Sequence, residues 1–303
     1  MNQNFIDSTF SLRGKAKGQK WLDELPETIK TFENKWGLKS MGTFPNLNIN
    51  FIERVQTKHG EELVLKIGFP GDEEFLKEVR ALEIYNGNGS VRLIKADLEN
   101  YVMLLEGCIP GKSLHTMDDE NKEALIFTNI CKRVWTKAPS NSIFKNVSDL
   151  IKEFDWYFEN SKKTEKLLPK ELVTKAQEKF KTLVSSTKDQ FLLHGDLHHD
   201  NILSSDRGWL AIDPKGIIGD REYEIAAFIR NPYFRFEKNE ELISKDFFAV
   251  RIEFISTTLR FDKKRITDWA FVKQVITLIW TIQDHNKSDK LNLEIAKALE
   301  ELV

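Results

Sequence analysis

The sequence predicts an α+β protein built as two lobes, a smaller strand-rich one over residues 1–106 and a larger, mainly helical one over 107–303. Three observations predict it. Short apolar runs separated by turn residues crowd the first third of the chain. Apolar residues recurring every three to four positions dominate the remainder. Between them lies EGCIPG (106–111), a short Gly- and Pro-containing connector of the kind that joins domains.

The elements follow in order. Trp21, Leu22, Leu25, Ile29, Phe32 and Trp36 step by three to four and predict an amphipathic helix over 19–36, with Pro26 near its first turns and Gly37 as its stop. Residues 38–48 are turn-rich. Phe51, Ile52 and Val55 predict a strand, and Leu63 to Ile67 the second strand of a hairpin across a turn at Lys58 to Glu61. Asp72 is placed to cap a helix running to about Tyr85, which Asn86 and Gly87 end. Val91 to Ile94 and Tyr101 to Leu105 read as two further strands. Beyond the connector, helical periodicity covers 119–138, 147–160, 169–185, 222–230, 240–259, 265–285 and 290–302.

Composition excludes several classes of function. At 303 residues the chain can bury two cores, and 41% hydrophobic with 30% charged residues is a soluble globular balance. A net charge of −2 lacks the basic excess of a nucleic-acid binder. No apolar run approaches the ~20 residues of a membrane span. No basic region followed by an apolar one opens the chain, so a cytoplasmic location is expected. Cys108 and Cys131 are then expected to stay reduced, as small buried hydrophobes. Nothing in the sequence calls for an obligate protein partner.

The chemistry gathers in one stretch, FLLHGDLHHDNIL (191–203): an apolar run, a polar loop and a second apolar run. His194, Asp196 and Asn201 stand in the order H-x-D-x-x-x-x-N. Kinase catalytic loops use that order, the Asp taking the hydroxyl proton and the Asn holding magnesium. Trp209 to Asp213 adds a short strand ending in a carboxylate, where a kinase places its second metal ligand. On this reading Asp196 is the catalytic base, and Asn201 and Asp213 coordinate Mg²⁺ through hard oxygens. His194 braces the loop, and His198 orients Asp196 or its neighbours.

Lys66 interrupts the apolar run of the second strand, and Glu78 follows twelve residues later on the next helix. Lys66 is either a solvated strand lysine or one that holds the α- and β-phosphates of a nucleotide with Glu78 as its partner. No G-x-G-x-x-G precedes it. Ser40 and Asn46 to Asn48 are candidate phosphate donors by position alone. A rival reading takes His194, His198, His199, Asp196, Asp200 and Asn201 as a metal cluster for hydrolysis. His59, His115 and His285 are scattered and extend no such pattern. A catalytically inert nucleotide-binding module is the other alternative.

HGDLHHDN (194–201), GWLAIDPKG (208–216) and IGDR (218–221) together resemble the aminoglycoside phosphotransferases. Within them they resemble the aminoglycoside 6-phosphotransferase branch, the streptomycin 6-kinases, grouped with the aminoglycoside/hydroxyurea resistance kinases. VLKI (64–67), EVRAL (78–82), GSVRL (89–93) and LLEGCIPG (104–111) match as well, so the resemblance spans most of the chain. It implies a protein-kinase-like fold, ATP and Mg²⁺ as cofactors, and a small cationic sugar as partner. It implies that Glu106 to Cys108 form a hinge meeting adenine through backbone groups. Pro214 stands where protein kinases carry the Phe of D-F-G, and no long activation loop follows, which argues against a protein kinase. Where many relatives carry Asp in a Tyr-Asp-x-Ala segment, this chain has Tyr223-Glu224-Ile225-Ala226.

The reaction so implied is phosphorylation of a hydroxyl of an aminoglycoside, streptomycin at its 6-position first among them, giving resistance. Another sugar, aminocyclitol or amino alcohol is the alternative acceptor. A polycationic acceptor needs carboxylates and aromatic walls. Trp280 and Asp284, one turn apart on one helix face, Asp262, and Glu237 to Glu241 are the candidates, with Asp284 the best single choice.

Overall fold

The computed structural model describes residues 3–45, 47, 49–140 and 142–303. It forms two compact units, Met1–Gly111 and Lys112–Val303.

The first unit runs α1 (Gln3–Arg13), α2 (Lys15–Trp36), β1 (Leu38–Thr43), β2 (Phe51–Thr57), β3 (Glu62–Ile67), α3 (Glu73–Tyr85), β4 (Leu93–Asp97) and β5 (Val102–Glu106). The strands form one antiparallel sheet in the order β1-β2-β3-β5-β4. Register divides its two faces. Phe51 opposite Ile67, Glu53 opposite Leu65 and Val55 opposite Leu63 share one face. Phe51, Val55 and the three β3 residues join Trp21, Leu22, Leu25 and Phe32 of α2 in a core. Lys66, paired in register with Ile52 and Met103, turns to the other face.

Several sequence expectations hold. Gly37 ends α2 in the left-handed region at φ 68, a conformation that costs glycine least. Asp72 caps α3 by accepting from the Glu74 amide. Others are corrected. The first helix pair extends further than predicted: α1 precedes it, and Pro26 lies inside α2 rather than near its first turns. β1 replaces the expected turn region, because an exposed edge strand carries little apolar alternation of its own and forms through pairing with β2. β4 starts two residues later than expected, at Leu93.

The second unit is mainly helical. It comprises α4 (Glu120–Val134), β6 (Thr136–Lys137), β7 (Lys145–Asn146), α5 (Ile151–Glu159), α6 (Ser161–Thr164), α7 (Lys170–Ser185), β8 (Phe191–Leu193), β9 (Ile202–Ser205), β10 (Gly208–Ala211), β11 (Ile217–Gly219), α8 (Arg221–Arg230), α9 (Tyr233–Phe236), α10 (Lys245–Leu259), α11 (Lys263–His285) and α12 (Lys290–Glu300). β9 and β10 form a hairpin, and β8 pairs with β11. α11 is the buried centre of this unit, with Ile266, Trp269, Phe271, Val275 and Ile279 inaccessible to solvent. Among the described residues no helix is long and apolar enough to cross a membrane. Neither cysteine is in a disulfide; Cys131 is buried as expected, but Cys108 is half-buried.

Leu25→Ala removes a fully buried side chain from the α2–sheet core. It should lower unfolding free energy by about 2–5 kcal/mol. Leu12→Ala, at a side chain 56% exposed, should change it by under about 0.5 kcal/mol. Urea denaturation of the two variants checks the contrast.

Candidate active site

The polar loop opens at the end of β8. The chain turns at Gly195, φ 89, where an added Cβ would press on the side chains of Ile217 and Lys215. Two groups fix this turn. Glu224, fully buried on α8, accepts from the His194 amide at 2.5 Å and the Gly195 amide at 3.0 Å. Lys273, 2% exposed on α11, donates from Nζ to the Gly195 carbonyl at 3.1 Å. Glu224, in the Tyr223-Glu224-Ile225-Ala226 segment, thus bonds directly to the loop.

His194 ties the loop to the chain that follows β10. It is fully buried, its Nε2 donates to the Ile212 carbonyl at 2.7 Å, and its Nδ1 accepts from the Asp196 amide at 3.3 Å. Burial holds its pKa down to about 4, so the imidazole is neutral and the Nε2–H tautomer follows from these partners.

Asp196 and Asn201 sit half-buried on the loop. Asn201 donates from Nδ2 to the Asp196 carbonyl at 2.8 Å, which fixes the amide and orients its Oδ1 away from that bond. His198 places Nε2 at 3.7 Å from an Asp196 carboxylate oxygen and 3.3 Å from Asn201 Nδ2. Burial acts to raise the pKa of Asp196. The adjacent His198 imidazole, then the charges of Lys273 and Arg230, outweigh it and hold the carboxyl well below the ordinary range. Asp196 is therefore an ionised carboxylate at neutral pH.

Asp213 follows β10 and adopts φ 59, the left-handed region that a non-glycine residue enters only when its surroundings impose it. The bonds on either side supply that constraint. The Ile212 amide donates to the Asn201 carbonyl at 3.0 Å, and the Lys215 and Gly216 amides donate to the His194 carbonyl at 2.8 and 3.0 Å. The two segments named by the sequence thereby become one ladder, with Asp213 between two ties to the loop. The hard oxygens of Asn201 and Asp213 fit a magnesium ion by donor chemistry.

In the first unit Lys66 and Glu78 are 3% and 5% exposed, and Lys66 Nζ donates to both carboxylate oxygens at 2.6 and 2.8 Å. The solvated-lysine alternative is thereby excluded. Ser40 is a different case. Its hydroxyl donates to Glu53, and its register opposite Val55 puts it on the α2 face of the sheet, away from Lys66. The phosphate-donor expectation for its side chain is corrected on that ground. Asn46 and Asn48, read with it, lie outside the described residues. Glu106 accepts from the Arg92 amide at 2.9 Å, and its own amide donates to the Arg92 carbonyl at 3.0 Å. It and half-buried Cys108 begin the connector.

The late-helix candidates divide. Asp262 is the N-cap of α11, accepting from the Lys264 and Arg265 amides. Trp280 is half-buried and Asp284 exposed. They continue the helix face that Lys273 begins, at steps of seven and eleven residues. Histidines of the supposed metal cluster are committed elsewhere: His194 to Ile212, and His199 to Glu123 at 3.2 Å, stacked on Phe228. Among the described residues no group of three His, Cys, Asp or Glu side chains gathers for a metal. Lys273 and Arg230 were not singled out from the sequence. A lone lysine in WAFVKQVITLIW (269–280) was the available signal.

A small antiparallel sheet with a buried Lys–Glu pair, and a helical unit with this Asp–Asn–Asp ladder, define a small-molecule phosphotransferase of protein-kinase-like fold. Comparison with known proteins agrees. Residues 35–285 match the family described as aminoglycoside/hydroxyurea antibiotic resistance kinase. A streptomycin 6-kinase of Streptomyces griseus is 23% identical over 283 residues, covering 92% of this chain and 90% of that one. A choline kinase from Streptococcus pneumoniae shares the fold at TM-score 0.59 and 15% identity, over 92% of this chain and 98% of its own. An aminoglycoside phosphotransferase solved with ADP and hygromycin B does so at TM-score 0.59 and 9% identity, over 89% and 97%. The chain belongs to the aminoglycoside/hydroxyurea antibiotic resistance kinase family. It is a phosphotransferase with an alcohol group as acceptor.

Burial of neutral His194 makes stability pH-dependent. Between its ordinary value of 6.5 and its folded value of about 4, the unfolded chain binds more protons than the folded one. The contribution is fully present above about pH 6.5 and is lost on acidification, on the order of 2 kcal/mol by about pH 5. Denaturant unfolding of wild type and His194→Asn at pH 7 and pH 5 should show a smaller acid loss in the variant. An equal loss in both would assign it to other groups.

Proposed function

We propose that this enzyme transfers the γ-phosphoryl group of ATP to a hydroxyl of an aminoglycoside, with streptomycin at its 6-position the first acceptor, and so confers resistance. The observation that carries this reading is the His194–Asn201 loop. It holds an ionised Asp196 next to an amide-fixed Asn201, and backbone bonds tie the loop to the residues on either side of Asp213. The streptomycin assignment rests on the similarity to the streptomycin 6-kinase.

Asp196 accepts the proton of the acceptor hydroxyl as its oxygen bonds to the γ-phosphorus. The bond from that phosphorus to the β,γ-bridging oxygen breaks, and ADP leaves. Lys66, held by Glu78, binds the α- and β-phosphates. The backbone of 106–108 meets the adenine, and Glu106 and Cys108 belong to that hinge. Asn201 and Asp213 would hold Mg²⁺, which neutralises phosphate charge when bound. His194 and His198 keep the loop in shape. Asp284 and Trp280 face a cationic group of the acceptor, an ion pair and an aromatic wall on one helix face.

An ADP-release assay over an aminoglycoside panel tests the reading. Acceptor-dependent turnover with streptomycin is expected. ADP release without any acceptor would point to hydrolysis, and exclusive use of a metabolite would overturn the aminoglycoside assignment.

Two variants resolve the roles. Asp196→Ala should lower kcat about 10²–10⁴-fold with little change in nucleotide binding; near-normal turnover would sink the base assignment. Lys66→Ala should weaken nucleotide binding, measured by calorimetry with a non-hydrolysable analogue. It should also destabilise the first unit by about 3–5 kcal/mol through the uncompensated Glu78.

A further inference from the structure

Arg230 closes α8, two turns beyond Tyr223 and on the same face. Its Nε is buried and has no hydrogen-bond partner among the described residues. Its charge acts on Asp196, Tyr223 and Tyr233. A guanidinium only donates, so an oxygen lone pair is what satisfies it. A buried donor left open is costly, and such donors in native proteins call for an explanation.

The surroundings grade from cation to anion. Beside Asp196 lie two cations, Arg230 and Lys273, the latter with Nζ 4.3 Å from the Tyr223 ring centroid. Tyr233 feels charges of both signs, that of Arg230 and those of Asp289 and Glu237. Along α11 the face that starts at buried Lys273 passes Thr277 and Trp280 and ends at exposed Asp284, about 16 Å away at the helical rise.

We propose that Arg230 is an acceptor-binding residue, hydrogen-bonding an oxygen on the carbon next to the reacting hydroxyl. This rests on the phosphotransferase reading above and deepens it. The acceptor must then be a polyol, a cyclitol or sugar with an oxygen beside the hydroxyl that is phosphorylated. Its cationic groups belong at the far end, toward Asp289, Glu237 and Asp284. An amino alcohol, with a cation two carbons from its only hydroxyl, places like charge against Arg230 and Lys273 and is rejected.

Steady-state kinetics of wild type, Arg230→Met, Arg230→Gln and Arg230→Lys test this, with streptomycin, other aminoglycosides, myo-inositol, choline and ethanolamine as acceptors. The expected result is a rise in acceptor KM of about ten- to a hundredfold in the Met variant. The Gln and Lys variants should fall between, with the KM for ATP within about twofold of wild type and a similar melting temperature. A residue serving only as counter-ion to Asp196 would instead lower kcat and leave acceptor KM unchanged, and that result overturns the proposal. Wild type using choline or ethanolamine as well as the polyols also overturns it, without any variant. Absence of turnover by wild type with every acceptor would remove the phosphotransfer reading and the proposal with it, whereas an active wild type with unaffected Arg230 variants removes the proposal alone.

Discussion

The His194–Asn201 loop depends on one fully buried carboxyl group, Glu224. Glu224 satisfies the His194 and Gly195 amides, and Lys273 satisfies the Gly195 carbonyl from a different helix. Glu224 and Lys273 thus hold one peptide segment through their hydrogen bonds. A buried carboxylate is tolerated only with such partners. In return the turn at Gly195 has a single geometry, and Asp196, the next residue, inherits it. The remaining bonds extend the same order outward: His194 to Ile212, Ile212 to Asn201, Asn201 to Asp196.

The first unit solves a similar problem with less. Lys66 lies on a strand whose neighbours are apolar, and strand register alone decides which face it serves. A shift of one residue would put it into the α2 core. On the observed face it meets Glu78, and both charges are buried together. The pair leaves one cation fixed in a low-dielectric setting.

Much of this was legible because it is local. The caps at Asp72 and Gly37, the β2–β3 hairpin and the periodic helices follow from residue type and spacing within one element. The Asp196–Asn201 spacing is of the same kind, since an eight-residue loop between two short strands brings them together. Lys66 and Glu78 were legible as an order of elements. β1 and α1 were not, because an edge strand with an exposed pattern and a helix with two buried residues are stabilised by what they pack on. Ser40 shows the same limit, since a bulged hairpin decides which face its hydroxyl takes.

The sequence by itself determined the two-lobed α+β class, the phosphoryl-transfer motif and its order along the chain, because these rest on periodicity and short spacings. Tertiary structure decided what surrounds that motif. Glu224, Lys273 and Arg230 come from helices 30 to 80 residues further along and converge on Asp196 only when α8 and α11 pack. Long-range burial sets which charges stay paired and which one is left open, and no local pattern encodes that.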